Sequence, residues 1–381
     1  MSDKDARAMR VVVLSGRPEH GAKLVAEAIA EALSRVAGED ERGGSIPPDA
    51  APESSAESLL QRADAAVVLD PGSLERARAA GTTLCAAVLP SFDIAWGGDL
   101  AEADRIIVSH QLLVPSVVER GAPRDRVVVG GVVGPKGYVP PADRRALRAA
   151  AGLSADATVV LVPTATFEEE DATSLLVQLS LVRSGTVFLF DVERDVETAE
   201  MLRRRAPAHG LRSHMFSSGP HSHELWQLAD VVVGRPRGWE ISQALAVGAP
   251  VVVVPAGRMG VNAAATLEEL GVARGADRVA TLAVAIDAAL EPAWLEVARS
   301  KIVALEIGGA AKRVAAAVRD AWERRLETAS FAARGLPIGL ERLGGDRRAS
   351  TQRKTLPETP AARDDIEQRL DKELADLKKR L

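Results

Sequence analysis

The sequence predicts an α/β protein in two halves, each a mostly parallel sheet covered by helices. Three observations point there: short aliphatic runs recur along the chain, helix-forming stretches lie between them, and a polar Gly/Pro break falls near residue 140. At 381 residues the chain exceeds what one hydrophobic core usually organises, so two domains and a tail are expected.

The aliphatic runs are residues 11–14, 65–70, 84–90, 105–109, 127–133, 158–163, 186–191, 230–234 and 250–255. They are nearly continuous in hydrophobicity and bounded by Gly, Pro, Ser or Asp, as strands buried on both faces of a parallel sheet should be. Alternation with helices makes βαβ units, and hence two Rossmann-like halves. In residues 21–37, Leu24, Ala28, Ile29 and Leu33 share one helical face, and residues 144–151, 174–182 and 263–270 repeat the pattern less cleanly. Residues 276–326 are almost entirely helix-forming, with Pro292 as the obvious break.

Residues 38–55 read as a polar loop within the first half, and the segment GPKGYVPPAD at 134–143 reads as the interdomain connection. The expected division is residues 1–135 for the first domain, 136–145 for the linker, 146–330 for the second domain and 331–381 for a polar tail. Ile366, Leu370, Leu374, Leu377 and Leu381 predict a short amphipathic helix near the C-terminus, and residues 364–381 are a candidate surface for a protein partner.

Composition narrows the function classes. A formal net charge of −5, with acidic and basic residues interspersed, lacks the basic footprint of a nucleic-acid binder. Cys85 is the single cysteine, which excludes an intramolecular disulfide and a cysteine-based zinc site, and its apolar run predicts a buried thiol. No stretch approaches the roughly 20 apolar residues that span a bilayer. The expectation is a cytoplasmic protein, with peripheral contact at the inner face of the membrane as the open alternative.

Residues 226–264, WQLADVVVGRPRGWEISQALAVGAPVVVVPAGRMGVNAA, run from a strand through Gly234-Arg235-Pro236-Arg237-Gly238 into an Ala-rich helix, then a second strand and an Asn-Ala-Ala helix. A turn that delivers a strand to a helix N-terminus favours an anion such as pyrophosphate. The segment resembles the donor-binding half of GT-B glycosyltransferases, in particular the group with monogalactosyldiacylglycerol synthases and the peptidoglycan lipid-intermediate N-acetylglucosaminyltransferase. Residues 92–153 follow the acceptor-domain end of the same family, with Asp93, Trp96, Asp104, Ser109 and Gly121-Ala122-Pro123 in order, and residues 11–33 are similar to its opening strand, loop and helix. The resemblance implies a GT-B fold, a UDP-sugar donor, inversion at the anomeric carbon, and neither a cofactor nor a bound metal.

Carried over residue by residue, it implies donor contacts at Thr164, Arg235, Gly238, Glu240, Ser242, Gln243 and Asn262, and a base for the acceptor hydroxyl at His20 or Asp93. Three positions depart from the pattern. Aligned on Glu27, His20-Gly21-Ala22 stands where the family has Gly-Gly-His, so His20 is displaced by two positions. Pro163-Thr164-Ala165-Thr166-Phe167 replaces a glycine-rich phosphate loop, with four acidic residues at 168–171, which also suits a capped helix start. Gln243 replaces the ribose-binding glutamate and loses its bidentate charge-assisted contact, with Glu240 one turn earlier as a substitute.

His221-Ser222-His223 reads better as a helix start than as a metal site, and Trp239 as a plug at the domain interface rather than a base-stacking platform. Arg235 and Arg237 read equally as phosphate partners or solvated turn charges. The expected function is transfer of a sugar from a UDP-sugar to a lipid or cell-envelope acceptor. The alternative is an inactive GT-B scaffold or nucleotide-sugar sensor acting through its C-terminal helix. An epimerase on the same architecture is a third reading, for which the acid-base carboxylates and histidines are not placed.

Overall fold

The computed structural model describes residues 9–15, 20–37, 53–90, 92, 94, 96, 98–164, 167, 172–192, 196–216, 222–235, 239–255 and 257–333. The chain divides into a unit of residues 1–327 and a unit of residues 328–381, of which residues 328–333 are described and end a helix. The helix expected at 364–381 lies outside the described residues.

In the first half, β1 (Val11–Leu14), β2 (Ala65–Val68), β3 (Leu84–Leu89), β4 (Arg105–Val108) and β5 (Val127–Val129) form one sheet in that order, every pair parallel. Between them run α1 (His20–Ala37), α2 (Glu53–Leu60), α3 (Pro71–Ala79) and α4 (Val114–Glu119). The second half opens with α5 (Arg144–Ala150), whose N-cap Asp143 accepts from the Ala146 N–H at 3.0 Å. Then follow β6 (Val159–Pro163), α6 (Ala172–Ser180), β7 (Val187–Asp191), α7 (Val196–Ala208), β8 (Arg212–Phe216), α8 (Ser222–Trp226), β9 (Val231–Gly234), α9 (Glu240–Ala246), β10 (Val251–Val253), α10 (Gly257–Glu269) and β11 (Ala273–Gly275). This second sheet is also parallel, in the order β11-β10-β9-β6-β7-β8. Three helices close the described chain: α11 (Leu282–Ala289), α12 (Pro292–Ala304) and α13 (Ile307–Ala333).

Strands β1 to β4, β6, β7, β9 and β10 bury every residue, as their continuous aliphatic runs require. Three of them start with the same dipeptide, Ala63-Asp64 before β2, Ala103-Asp104 before β4 and Ala229-Asp230 before β9. In each case the aspartate accepts the backbone N–H of a residue at the start of the neighbouring strand: Arg10 at 2.9 Å, Cys85 at 2.8 Å and Val159 at 3.0 Å. Arginines complete each pair. Arg10 bonds Asp64, Arg78 and Arg325 bond Asp104, and Arg148 and Arg299 bond Asp230.

Strand residues alternate between faces, and the first sheet's faces have different covers. One meets α2, α3 and α4 through Leu60, Leu74, Ala77 and Val117, in a core cluster that continues into one face of the second sheet. The other meets α1 through Val25 and Ile29, and α13 through Ala310, Val314 and Val318. The second sheet's remaining face packs on α6, α7 and α11.

The long helix α13 therefore returns to the first half. Arg313 donates to the Gly130 carbonyl at 2.9 Å, Arg105 pairs with Asp320 at 3.0 Å and Arg325 with Asp104 at 3.0 Å. A Cβ on Gly130 would stand 2.5 Å from Ile107 and 3.0 Å from Val314, so the chain leaving β5 needs glycine for α13 to approach. That exit also explains why the strand expected through residue 133 stops at Val129.

Between β5 and α5 the connection touches both halves: the Lys136 N–H donates to the Leu24 carbonyl of α1 at 3.2 Å and its ammonium pairs with Glu31 at 3.2 Å, while Tyr138 and Val139 bond the second half. Arg144 donates to the carbonyls of Gln227 (2.9 Å) and Val247 (3.0 Å), the second of which caps the C-terminus of α9. Burial, with the charges of Arg299 and Arg148 nearby, lowers the Arg144 guanidinium to about 10. Cys85 is fully buried in β3, and among the described residues no helix is long and apolar enough to cross a membrane.

Candidate functional site

In the second sheet, strand order reverses between β6 and β9: from β6 the chain builds outward to β7 and β8, then returns to β9 and builds the other way. The carboxyl ends of β6 and β9 therefore meet at a topological switch point, the place where open α/β sheets bind ligands. Thr164 follows β6 and Arg235 follows β9, so the structure brings these two expected residues to the switch point. The Arg235 guanidinium lies over the ring of Phe167, 5.8 Å from its centroid, and so spans the two turns.

Not every polar group there faces outward. Thr164 is buried and its hydroxyl donates to the Asp191 carbonyl at 3.0 Å, at the end of the adjacent strand β7. The Asp191 carboxylate, also buried, accepts from the Trp226 indole N–H at 3.2 Å. Trp226 in turn meets the ring of Tyr138 edge-on, with centroids 5.9 Å apart and planes at 70°. Tyr138 belongs to the connection between the halves.

The Tyr138 hydroxyl accepts from the Gln243 side-chain amide at 3.1 Å and shares a hydrogen bond with Ser222 at 3.1 Å. Burial pushes the phenol up to about 12, which the bonds to Ser222 and Gln243 oppose and the charge of Asp191 reinforces. Gln243 is thus a buried residue of α9 turned toward the connection. Ser242 is buried as well, its hydroxyl 3.4 Å from the Pro90 carbonyl at the end of β3. Trp239, just before α9, is buried in the cluster holding β1, α1 and α13, so it fills the seam with the first half.

Of the other expected residues, Glu240 opens α9 and is half-buried, while Asn262 is exposed on α10, where its carbonyl accepts from Thr266 at 3.0 Å. His20 opens α1, beyond the carboxyl end of β1. Asp93, Gly238, Arg237 and His221 lie outside the described residues. Ser222 begins α8 and is taken up by Tyr138, and His223 stands 6.1 Å from the Tyr138 ring.

Residue-by-residue reading of the sequence missed Tyr138, Asp191, Trp226 and His110. Tyr138 had one signal, as the chain's single tyrosine set in a Gly/Pro stretch, and Asp191 another, as the polar end of an apolar run. His110 follows β4, and its Nδ1 accepts the Leu112 N–H at 3.2 Å, capping a short 3-10 turn. Burial lowers its pKa, against the opposing charge of Glu269 on α10.

Two parallel Rossmann-like domains, the second with a reversal of strand order, have the architecture of the GT-B fold. Solved structures agree. A glycosyltransferase from Rickettsia africae is similar over 85% of this chain and 99% of its own, with 11% identity and a TM-score of 0.57. Os79 from O. sativa, solved with U2F and trichothecene, covers 82% of this chain and 100% of its own at 14% identity and a TM-score of 0.54. HepE of Anabaena, solved with UDP and glucose, covers 86% and 100% at 15% identity and a TM-score of 0.50. No family model and no curated protein matches the sequence.

Proposed function

We propose that the chain binds a UDP-sugar at the carboxyl ends of β6 and β9 and transfers the sugar to a lipid or cell-envelope acceptor held by the first half. The observation that carries this reading is the reversal of strand order between β6 and β9, with Arg235 placed at that point. Support comes from the complexes of fold neighbours, HepE with UDP and glucose and Os79 with U2F and trichothecene, and from the likeness of residues 226–264 to the group with monogalactosyldiacylglycerol synthases.

In this reading Arg235 and the turn at Gly238 receive the diphosphate, Glu240 and Asn262 flank it, and Thr164, Ser242 and Gln243 support the crevice from beneath. A base, His20 or Asp93, takes the proton of the acceptor hydroxyl as its oxygen attacks the anomeric carbon. The bond to the diphosphate breaks on the opposite face, and UDP departs with the electron pair. Arg235 offsets the charge that grows on that leaving group. Activity would be met at the cytoplasmic side of a membrane.

A second reading is favoured by Thr164 and Gln243, whose side chains are committed to internal bonds. It keeps nucleotide-sugar binding and drops transfer, making the chain a sensor or scaffold. Calorimetric titration with UDP tests the shared claim: binding that weakens about tenfold or more in Arg235→Ala supports it, as loss of a charge-assisted contact should. Equal affinity in the two proteins contradicts it. Turnover of a UDP-sugar in the presence of membrane acceptors then separates transferase from sensor.

A further inference from the structure

The connection between the halves is tied to the nucleotide crevice by a knot of buried polar and aromatic side chains. Tyr138 sits at its centre. Its hydroxyl joins Gln243 of α9 and Ser222 of α8, and its ring meets Trp226, whose indole holds the carboxylate of Asp191. The Asp191 carbonyl takes the hydroxyl of Thr164 at the end of β6. Within or just beyond β6, β7, α8 and α9 a side chain or carbonyl thus belongs to the knot. On either side of Tyr138 the connection follows the same surface: Gly137 stands near His223, and the Val139 carbonyl accepts from Gln227 at 2.9 Å.

We infer that Tyr138 and Gln243 are positioning residues, which hold the connection on the second half and so set the shape of the nucleotide crevice. This inference rests on the proposed nucleotide site and goes beyond it, because it gives Gln243 a task other than touching ribose. Gln243 is 6% exposed and its amide N–H is directed to the phenol. Removing the phenol hydroxyl strands that amide in an apolar setting, and removing the amide strands the hydroxyl. Either change loosens residues 137–143, since Lys136 stays tied to α1 through Leu24 and Glu31, and with them the grip of Trp226 on Asp191. The two variants should therefore act as one.

The test uses the full-length chain as wild type, Tyr138→Phe, Gln243→Ala and the double variant, titrated with UDP and with 2′-deoxy-UDP. The expected result is a three- to tenfold loss of UDP affinity in each single variant and no further loss in the double variant. The ratio of UDP to 2′-deoxy-UDP affinity should match wild type throughout. A ratio that changes in Gln243→Ala would mean direct ribose contact and overturn the inference, as would additive losses or unchanged affinity in Tyr138→Phe.

Amide hydrogen exchange across residues 137–143, measured without nucleotide, separates failure of the inference from failure of the site. Faster exchange in both single variants is expected, and unchanged exchange overturns the anchor. If wild type binds neither nucleotide, the site reading and the coupling to it both fall, while the exchange result still decides the anchor. Should Tyr138→Phe fold poorly, Ser222→Ala probes the same hydroxyl from its other partner.

Discussion

In the first sheet the strands follow one another in chain order from β1 to β5, whereas the second reverses direction between β6 and β9. Right-handed crossovers in a sheet wound one way fall on a single face, which here carries α3 and α4. The other face has α1 over its early strands and needs α13, brought back from the C-terminal end, over β4 and β5. A sheet wound both ways covers its own faces and opens a crevice where the winding changes. So the first half depends on a distant helix for its core, while the second covers its sheet with helices of its own stretch of chain.

The sharpest test of that contrast lies in the aspartates that start the strands. Asp230 is held by Arg148, a buried side chain, and by the more accessible Arg299. Asp104 is held by Arg78 and Arg325, both more accessible than Arg148, and Asp64 by an exposed Arg10. Asp230→Ala leaves a buried cation unpaired and should cost about 3–5 kcal/mol in urea unfolding. Asp104→Ala should cost about 1–2 kcal/mol, and Asp64→Ala less than either. Equal losses would mean that the two halves are pinned alike.

Next in size is the seam of α13. Gly130→Ala drives a Cβ into Ile107 and Val314 and should cost about 1–3 kcal/mol by overpacking. Gly308, within α13 itself, has open space where a Cβ would stand, and Gly308→Ala should stabilise by about 0.5 kcal/mol. If both changes were neutral in thermal unfolding, α13 would not be closing the first sheet.

The smallest effect concerns His110. Its pKa is lowered by burial, so the folded state favours the neutral imidazole, whose Nδ1 caps the turn at Leu112. Between the ordinary histidine pKa of about 6.5 and the lower folded value, the unfolded chain binds more protons. The contribution is therefore present above about 6.5 and is lost as pH falls through the folded pKa. His110→Asn keeps a capping oxygen and cannot titrate, so its urea midpoint should vary less than wild type between about pH 7.5 and 5.5.

Much of this architecture could be read from residue order. Continuous aliphatic runs located nine of the eleven described strands, seven of them central, where burial on both faces leaves little room for polar positions. β8 was missed because it is an edge strand, Arg212–Phe216, with no buried residue, and β11 because Ala-Arg-Gly has neither length nor β-branching. The place of α13 was hidden for another reason: helical periodicity shows that a face is buried but not which sheet buries it. The positions of Thr164 and Arg235, at the ends of β6 and β9, were legible from their turns. The inward commitment of Gln243 was not, since its partner Tyr138 lies 105 residues away.

The central claim is that nucleotide binds to the second sheet and not to the first, and hydrogen exchange with and without UDP tests it most directly. The account predicts protection of peptides covering residues 160–167 and 231–243, at the ends of β6 and β9. Protection confined to the carboxyl ends of β1 and β2, around residues 14–20 and 68–74, would contradict it.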